Sequence, residues 1–442
     1  MKPTVQLGLF GLSLCVSGSA LATNGYFAHG YGTQSKAMAG AGVALALDGL
    51  SAASNPAAVA RLKPRNDLGL ALFVPQRGYT STGTPTGACA SAQQCTFGIG
   101  PQSIESGNEL FPIPHFGLVR RVSDQANWGL SVYGNGGLNT NYQGGSATFG
   151  VPMGTVPPGM SFTAPGTYGA GETGVDLTQL FIAPTYARRF GEDSAWGVMP
   201  ILAVQRFKAK GLGNFAAFSS DPAHVSDTGY ENSYGGGVRL GVQTRVNPVL
   251  SLGAAWQSRV YMTEFDRYAG LFAEQGDFDI PSNFTLGAAV QASSGITVAL
   301  DVQHIRFSEV NAVGNPMLPN LAQARLGDDR GAGFGWEDMT IYKAGLAWQQ
   351  NAQRTWQAGY SYGKQPIRES EVLFNILAPA VVQQHFTAGL TQKMTSNRAL
   401  SVALMFAPNE KVRGSNPLDP AQTIEIEMRQ FELEISYSWG GV

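Results

Sequence analysis

The feature that most constrains how this sequence can fold is a strict alternation of short and long links between segments with a two-residue hydrophobic period. Short links such as GEDS, NP and SSG are turn-forming sequences, whereas the longest links reach nearly forty residues. The sequence predicts strands at 66–80, 111–122, 127–137, 176–190, 195–208, 230–246, 249–263, 280–293, 296–310, 336–350, 353–366, 383–394, 398–408 and 427–439. The long links are 81–110, 138–175, 209–229, 264–279, 311–335, 367–382 and 409–426. An even number of strands with short turns at one end and long loops at the other is typical of outer-membrane β-barrels.

The composition agrees with a barrel that faces lipid. Charged residues make up 14% of the chain, against roughly 25% in soluble proteins, and 56 of the 442 residues are glycine. Phe431, Leu433 and Ile435 alternate with Glu432 and Glu434, as expected for a strand between lipid and a wet lumen. The formal net charge of −2 gives no reason to expect nucleic acid as a partner. We therefore predict an all-β fold, a transmembrane antiparallel β-barrel of fourteen strands.

Residues 1–22 have the pattern of a cleaved signal peptide. Lys2 precedes an apolar run from Val5 to Val16, and Ala20-Leu21-Ala22 is a small-x-small cleavage pattern. The run is too short to span a bilayer, for which a helix needs about 20 residues. Export of a barrel implies the outer membrane of a Gram-negative bacterium. Both termini are then expected on the periplasmic side, because short turns are periplasmic and the strand number is even.

Residues 23–65 are predicted to form an N-terminal plug ahead of the barrel at 66–442. The stretch from Thr23 to Leu62 is rich in glycine and small apolar residues and carries few charges. Structureless loops above roughly 12–15 residues are uncommon in compact proteins. The stretch is also too apolar for a disordered tail. We expect it to fold back inside the barrel and fill the lumen.

Two cysteines follow the predicted signal peptide, Cys89 and Cys95, in one long link. Exported chains meet an oxidising compartment, so these cysteines are expected to form a disulfide. A metal site would need further ligands, and the five histidines are scattered singly along the chain. We therefore expect neither a metal nor another cofactor.

The plug segment AMAGAGVALALDGLSAASNPAAVARL resembles the hatch of the FadL-type outer-membrane transporters of long-chain fatty acids and hydrophobic compounds, including an Asn-Pro-Ala motif at Asn55, Pro56 and Ala57. The resemblance continues through YGGGVRLGVQTRVNPVLSLGAAWQSRV, DIPSNFTLGAAVQASSGITVALDVQHIRFSEV and WEDMTIYKAGLAWQQNAQRTWQAGYSYG. It covers essentially the whole chain after the signal peptide. The resemblance implies capture of substrate in an apolar outer groove, a pocket inside the barrel, and sideways release through a gap at a kink in the third strand.

The long link 138–175 is a candidate for the capture surface, because it combines aromatic residues and methionines with a single charge, Glu172. Exposed apolar patches often mark binding sites. A loop that packs on itself to cover the barrel mouth explains the same composition. The predicted apolar substrate contacts, from the plug and two outer links, are Tyr26, Phe27, Phe149, Met153, Met160, Phe162, Phe215 and Phe218.

Two segments are candidates for gating. In the third strand the alternation breaks at Gly134, Gly136 and Gly137. Glycines inside a strand favour a bulge or the close approach of another backbone, although the strand could also simply end at Tyr133. The Asn55-Pro56-Ala57 turn is expected to lie against the barrel wall, or merely to begin a helix before AAVARL.

The alternation also predicts which cations project into the lumen: Arg239, Arg259 and Lys343. Each could bind a substrate carboxylate through charge-assisted hydrogen bonds. A buried cation is costly unless it is paired, so the alternative is that each pairs with an acidic residue of the wall. The acidic candidates are Asp301, Glu432 and Glu434.

Together these features predict a passive outer-membrane transporter of hydrophobic or amphipathic molecules, with long-chain fatty acids or related lipids and hydrocarbons as substrates. The alternatives are a polar-solute porin and an adhesin-like surface barrel. We do not expect an enzyme, because no acid partner follows from the spacing around His385 and Thr387. The expected partners are outer-membrane lipid, the hydrophobic substrate and the barrel assembly machinery, and we expect a monomer.

Overall fold

The structure is a computed structural model, and it describes residues 24–91, 94–150 and 161–442. The predicted signal peptide, the cleavage site before Thr23, and the predicted substrate contacts Met153 and Met160 lie outside the described residues.

Within those residues, fourteen long strands form a closed antiparallel barrel, which confirms the predicted fold class. They are β1 (Arg65–Thr82), β2 (Phe111–Arg121), β3 (Ala126–Asn139), β4 (Gly174–Phe190), β5 (Ser194–Lys210), β6 (Glu231–Arg245), β7 (Leu250–Gln257), β8 (Asn283–Ser293), β9 (Ile296–Ile305), β10 (Met339–Gln349), β11 (Arg354–Gly363), β12 (Gln384–Thr395), β13 (Arg398–Ser415) and β14 (Thr423–Gly440). Each strand pairs with the next, and pairing of β1 with β14 over their full lengths closes the barrel.

The links carry shorter elements. Short strand segments lie at Cys89–Ser91, Gln94–Cys95, Phe97–Ile99, Gln102–Glu105, Ser146–Gly150, Ser161–Pro165 and Tyr261–Met262. Short α-helical turns lie at Thr33–Lys36, Ala273–Gly276, Asn311–Gly314, Asn320–Gln323 and Val372–Asn375. Turns of 3-10 helix lie at Ser51–Ala53, Pro56–Arg61, Gly213–Phe218, Pro222–His224, Asp266–Tyr268, Phe307–Glu309 and Glu369–Glu371. Across the described ranges, none of these helices is long and apolar enough to cross a bilayer. The predicted disulfide between Cys89 and Cys95 is present.

The two faces of the wall differ as the period of two predicts. On β14 the apolar residues Phe431, Ile435 and Trp439 are exposed on the outside, whereas Glu432 and Glu434 are buried on the inside. Inward-facing polar groups need partners, because the interior of the barrel is largely filled. The plug supplies many of those partners.

Several strand boundaries differ from the prediction, and the largest differences are at the ends of β13 and β7. β13 continues to Ser415, well beyond the expected end at residue 408, because a long hairpin with β14 extends above the barrel wall and satisfies the backbone groups of both strands. β7 stops at Gln257 rather than at residue 263. There Val260 forms an isolated bridge with Ile280, and Tyr261 and Met262 return to β6.

The segment from Asn24 to Leu62 lies inside the barrel and is mostly buried. It contains only short helical turns, and side chains of the wall satisfy much of its backbone. For example, the Asp301 carboxylate accepts hydrogen bonds from the backbone N–H groups of Gly42 and Val43 at 2.8 and 2.9 Å. Thr387 of the wall accepts from Ala39 N–H at 2.9 Å. The segment therefore plugs the lumen.

Candidate substrate path

The long links surround an apolar space, which we call the outer cavity, at the loop end of the barrel. Its walls come from the start of β4, the end of β5 and four long links, so most of the chain segments that build it are far apart in sequence. Its lining is entirely apolar: Val175, Phe207, Leu212, Phe215, Leu271, Phe272, Ala312, Leu326, Ala332, Gly333, Phe334, Phe374 and Leu377. A lining of this character is suited to a hydrophobic ligand.

Buried aromatic rings continue from the outer cavity down to the plug. This aromatic path consists of Phe207, Phe272, Phe278, Tyr26, Phe27 and Trp336. Successive ring centroids along the first five are 4.8, 4.9, 6.1 and 5.3 Å apart, and Trp336 lies 5.8 Å from Tyr26. These are contact distances for aromatic pairs. The first residues of the plug therefore fill the inner end of a continuous apolar region.

The same plug residues pair with β3. Ala28 N–H donates to the Asn135 carbonyl at 3.1 Å, and Gly137 N–H donates to the Tyr26 carbonyl at 3.0 Å. Gly136 permits this approach, because a Cβ at that position would lie 1.8 Å from the Tyr26 oxygen. The strand therefore does not end at Tyr133.

The ladder between β3 and β4 shifts register beside Asn135, opposite Gln179 and Leu180. This irregularity is a bulge at the position where the glycines predict one.

A gap, which we call the β2–β3 gap, opens beside this bulge. β2 pairs with β3 only from Phe116–Arg121 to Asn127–Val132. Beyond that point no described pairing joins Phe111–His115 to the rest of β3. β2 carries Pro112 and Pro114 here, and proline lacks the N–H that a ladder needs. A small pocket behind the gap lies between Ile113, His115, Tyr133 and Gly134 of the wall and Gly30–Gly32 of the plug.

The outer end of the β2–β3 gap is bounded by polar contacts. The Arg77 guanidinium donates to the carbonyls of Asn108 and Asn139. The Asn108 amide also donates to the Asn139 side chain at 2.9 Å. These bonds connect β1, the segment before β2, and the end of β3, so they set how far β3 can separate from β2 at its outer end.

The Asn55-Pro56-Ala57 turn lies elsewhere. Asn55 caps the following 3-10 helix by accepting from Ala57 N–H at 3.0 Å, and its amide donates to the Val43 and Val242 carbonyls at 2.7 and 3.0 Å. A Cβ at Gly197 of β5 would meet Pro56, and one at Gly241 of β6 would meet Asn55. The turn is thus packed against β5 and β6, whereas the gating glycines of β3 contact Tyr26 and Phe27. The two sets of predicted gating residues are not together.

Buried charges hold the middle of the plug. In this plug anchor, the Lys36 ammonium lies 2.8 Å from the Glu432 carboxylate and 2.7 Å from that of Glu434. The Thr33 hydroxyl donates to Glu434 at 2.7 Å. Glu432 and Glu434 therefore do pair with a cation, but the cation comes from the plug, whereas Asp301 bonds to the plug backbone.

Each of the three lumen cations has a partner within the protein. Arg239 donates to the Gln257 side chain at 2.5 Å, and Lys343 donates to the His29 carbonyl at 3.1 Å. Arg259 pairs with Asp279 at 2.5 Å and with Asp277 at 3.1 Å. Burial, together with the neighbouring Asp279 carboxylate, raises the pKa of Asp277 to about 7. None of the three cations lines the outer cavity.

The structure brings some of the predicted aromatic residues, among them Tyr26 and Phe27, together on this path and leaves others away from it. Phe215 lines the outer cavity, but Phe149 packs on Phe97 with ring centroids 4.8 Å apart, and Phe162 and Phe218 are exposed. The residues that were missed are Phe207, Phe272, Phe278, Phe334, Phe374 and Trp336. The aromatic content of the links after residue 263 is the signal that could have identified most of them.

The remaining polar candidates contribute to structure. Thr387 donates to the Ala37 carbonyl at 2.9 Å, and the His385 ring lies 3.1 Å from the Ser361 hydroxyl. No group of three or more histidine, cysteine or acidic side chains in the described ranges is arranged to hold a metal ion.

The architecture of this protein is thus a closed barrel of fourteen strands with an internal plug. Three solved structures share it over nearly their whole length. The toluene transporter TodX of Pseudomonas putida is 16% identical, with 93% of this chain and 99% of that chain covered and a TM-score of 0.62. A FadL homologue of Pseudomonas aeruginosa is 14% identical, with coverages of 94% and 99% and a TM-score of 0.65. The toluene transporter TbuX of Ralstonia pickettii is 16% identical, with 94% of this chain and 99% of that chain covered and a TM-score of 0.57.

At these identities the likeness establishes the fold. No protein-family model and no curated protein matches the sequence.

Proposed function

We propose that this protein is a passive outer-membrane channel that takes hydrophobic, uncharged molecules from the cell exterior and releases them sideways into the membrane. The observation that carries the proposal is the continuity of the apolar region. The outer cavity leads into the aromatic path, and the aromatic path ends at Phe27, which forms a β-bridge with Gly136 beside the β2–β3 gap. No step requires energy or a chemical reaction.

The preference for uncharged molecules follows from the lining. A carboxylate that entered the outer cavity would lose its water and meet only apolar side chains. An unpaired ion in a low-dielectric site costs several kcal/mol. Arg259 and Lys343 offer little compensation, since neither lines the outer cavity and Arg259 is already paired with two carboxylates. This argument favours hydrocarbons and neutral lipids over long-chain fatty acids, and the toluene transporters that share the fold accord with it.

The β2–β3 gap supports the sideways exit. A hydrophobic molecule gains nothing by entering the aqueous periplasm, whereas the bilayer beside the wall is apolar. The plug fills the lower lumen and is held there by hydrogen bonds to the wall. The gap instead places the end of the aromatic path beside lipid. For passage the residues around Tyr26 and Phe27 must move, because their rings occupy the path in this structure.

The location follows from the same architecture. The exposed apolar outer face fits a bilayer, and the long links at one end fit the cell exterior. In this orientation the chain begins and ends on the periplasmic side, as the sequence predicts, and the outer cavity faces the medium. The proposed division into a signal peptide at 1–22, a plug at 23–65 and a barrel from 66 onward accords with a first strand that begins at Arg65.

The test compares matched pairs of substrates in Gram-negative cells that lack a comparable channel. Initial uptake of toluene, of a long-chain alcohol and of the acid of equal length is measured at limiting concentration, with and without the protein. We expect toluene and the alcohol to enter at least about tenfold faster than the acid, because burial of an unpaired carboxylate exceeds about 1.4 kcal/mol. Equal gains for alcohol and acid would refute the selectivity. No gain for any compound would refute the channel.

A further inference from the structure

The outward face of β5 changes character abruptly along its length. From the turn end upward, its outward residues are first apolar: Trp196, Val198, Pro200, Leu202 and Val204. The next three outward residues, which we call the cation row, are Arg206, Lys208 and Lys210. Alternate residues of a strand lie about 6.6 Å apart on one face. The apolar part thus extends about 26 Å along the strand, which is about 20 Å in height at a strand tilt of about 35–45°, against roughly 25 Å for the apolar band of a barrel. The cation row therefore begins near the outer edge of that band, where lipid head groups are expected.

Neighbouring groups hold the cation row in place. The Arg206 guanidinium lies 3.6 Å from the centre of the Tyr230 ring, and the Lys208 ammonium lies 5.3 Å from it. The Tyr230 hydroxyl donates to the Asp176 carboxylate at 2.8 Å, and Lys210 pairs with Glu172. In the described part of the chain, Lys208 has no acidic side chain within salt-bridge distance. This face therefore carries three cations and two carboxylates, and each carboxylate already has a partner. Its net charge is positive.

The outward residues of β14 at the corresponding height have a different charge pattern. Its apolar outward residues also end after five, at Phe431, and the next outward residues are Arg429, Glu427 and Glu425. Lys411 of β13 lies 2.7 Å from Glu425 and 3.1 Å from Glu427. This face is balanced by its own acids. The cation row is therefore a local feature and not a property of the whole rim.

We propose that the cation row binds the phosphate groups of a phosphorylated glycolipid in the outer leaflet, with the acyl chains of that lipid along the apolar part of β5 and β6. The proposal rests on the outer-membrane location and orientation proposed above. Arginine and lysine recognise phosphate through charge-assisted hydrogen bonds, and basic surfaces at head-group depth attract anionic lipid. Exposed apolar groups lie directly below, with Leu202 58% and Tyr234 57% exposed.

The cation row faces away from the substrate path. Phe207 and Ala209, which alternate with the three cations, point inward and are buried, and Phe207 lines the outer cavity. A ligand on the cation row is thus separated from the path by the thickness of the wall. Loss of lipid binding and loss of transport can therefore be measured separately.

The test uses the purified full-length protein in mild detergent and lipid A that carries two phosphates, with binding followed by native mass spectrometry. The test variant is R206Q/K208Q. The matched control is K411Q/R429Q, which removes the same charge at the same height from the balanced face. We expect the test variant to bind about tenfold more weakly or worse, and the control to stay within about twofold of the parent protein, because only the first site has phosphate ligands.

Dephosphorylated lipid A serves as the second comparison and should bind all three proteins weakly and alike. Equal binding of lipid A by the parent and R206Q/K208Q would overturn the proposal. So would equal binding of the two lipids by the parent, or an equal loss in K411Q/R429Q. Heat-modifiable migration on a gel establishes that each variant is folded. Uptake of toluene by R206Q/K208Q should be unchanged, and a parent protein that binds lipid A but admits no toluene would refute the channel alone.

Discussion

The outer part of the lumen and the part around the plug differ in what holds them together. In the outer part, rings and aliphatic groups from two strands and four long links pack around the outer cavity with no charge among them. Around the plug, the wall reaches the chain through buried ions and hydrogen bonds, with Lys36 between Glu432 and Glu434 and with Asp301 on the backbone of Gly42 and Val43. Apolar contacts are non-directional and tolerate exchange for a ligand, whereas buried polar contacts penalise any displacement.

The boundary between the two regions runs through the plug itself. Residues from Thr33 to Val43 are fixed by side chains of the wall, and the Asn55 amide donates to the Val242 carbonyl of β6. Tyr26 and Phe27 belong to the aromatic path, and backbone bonds to β3 hold this end of the plug. The comparison indicates that only the beginning of the plug needs to move for transport.

The largest expected effect comes from breaking the plug anchor. In Lys36→Met the carboxylates of Glu432 and Glu434 lose their cation while they remain buried. Such a loss typically costs about 3–5 kcal/mol in the free energy of unfolding. Urea unfolding in lipid vesicles measures the change. Adding Glu432→Gln and Glu434→Gln should restore part of the stability, and an unchanged unfolding midpoint in Lys36→Met would contradict the anchoring role.

A change in the aromatic path should reduce transport, and heat-modifiable migration on a gel establishes that the barrel still folds. Phe272→Ser removes a ring that lines the outer cavity and contacts Phe207 and Phe278. Loss of that apolar contact with substrate is worth about 1.5–3 kcal/mol, so uptake of limiting toluene should fall about tenfold or more. Phe162→Ser is the control, because Phe162 is 60% exposed and lies outside the cavity lining. Equal losses of toluene uptake in the two variants would contradict a specific role for the outer cavity.

Hydrogen exchange can test whether the first residues of the plug loosen separately from the rest of it. In Gly136→Ala the added methyl would collide with the Tyr26 carbonyl, so the pairing of β3 with the first plug residues should loosen. We expect the Ala28 amide, which donates to Asn135, to exchange about tenfold faster, a shift of about 1.4 kcal/mol. The Gly42 and Val43 amides, held by Asp301, should not change.

Gly107→Ala is the matched control, because the nearest atom to its new methyl is 3.8 Å away. Faster exchange throughout the plug in Gly136→Ala would contradict a boundary within it.

The smallest effect is expected at a lumen cation. Arg259→Gln removes the partner of Asp277 and Asp279 at the base of an outer link. If the path carries uncharged molecules, uptake of a long-chain alcohol and of the matching acid should change by the same factor, within about twofold, because the guanidinium is a structural partner. A selective loss of acid uptake would assign Arg259 to substrate.

The strands were predictable from the sequence, and most of the path was not. Alternation along a strand such as β14 is a local property, so Glu432 and Glu434 could be placed inward from their neighbours alone. Their partner Lys36 lies almost four hundred residues earlier, in a segment without periodicity. Most aromatic residues of the path lie in links whose conformation depends on packing with other links, so alternation could not place Phe272 and Trp336. The sequence predicted both the glycines of β3 and the Asn55 turn as gating candidates. Only the pairing of the strands in the barrel shows that the two sets lie apart.

The claim that substrate leaves between β2 and β3 is tested most directly by stapling the gap. A disulfide between Pro114→Cys and Gly134→Cys would join the outward faces of the two strands just beyond their last described pair, Phe116 and Val132. The control staple, Leu118→Cys with Leu130→Cys, joins two residues that already lie opposite each other in the ladder. The parent protein treated with the same oxidant and reductant accounts for any effect on Cys89 and Cys95.

Toluene uptake is then measured in the oxidised and reduced states, with each crosslink confirmed by mass. We predict that the Pro114–Gly134 staple blocks uptake when oxidised, that reduction restores it, and that the control staple has no effect. Full uptake through a barrel with the confirmed Pro114–Gly134 crosslink would contradict lateral release.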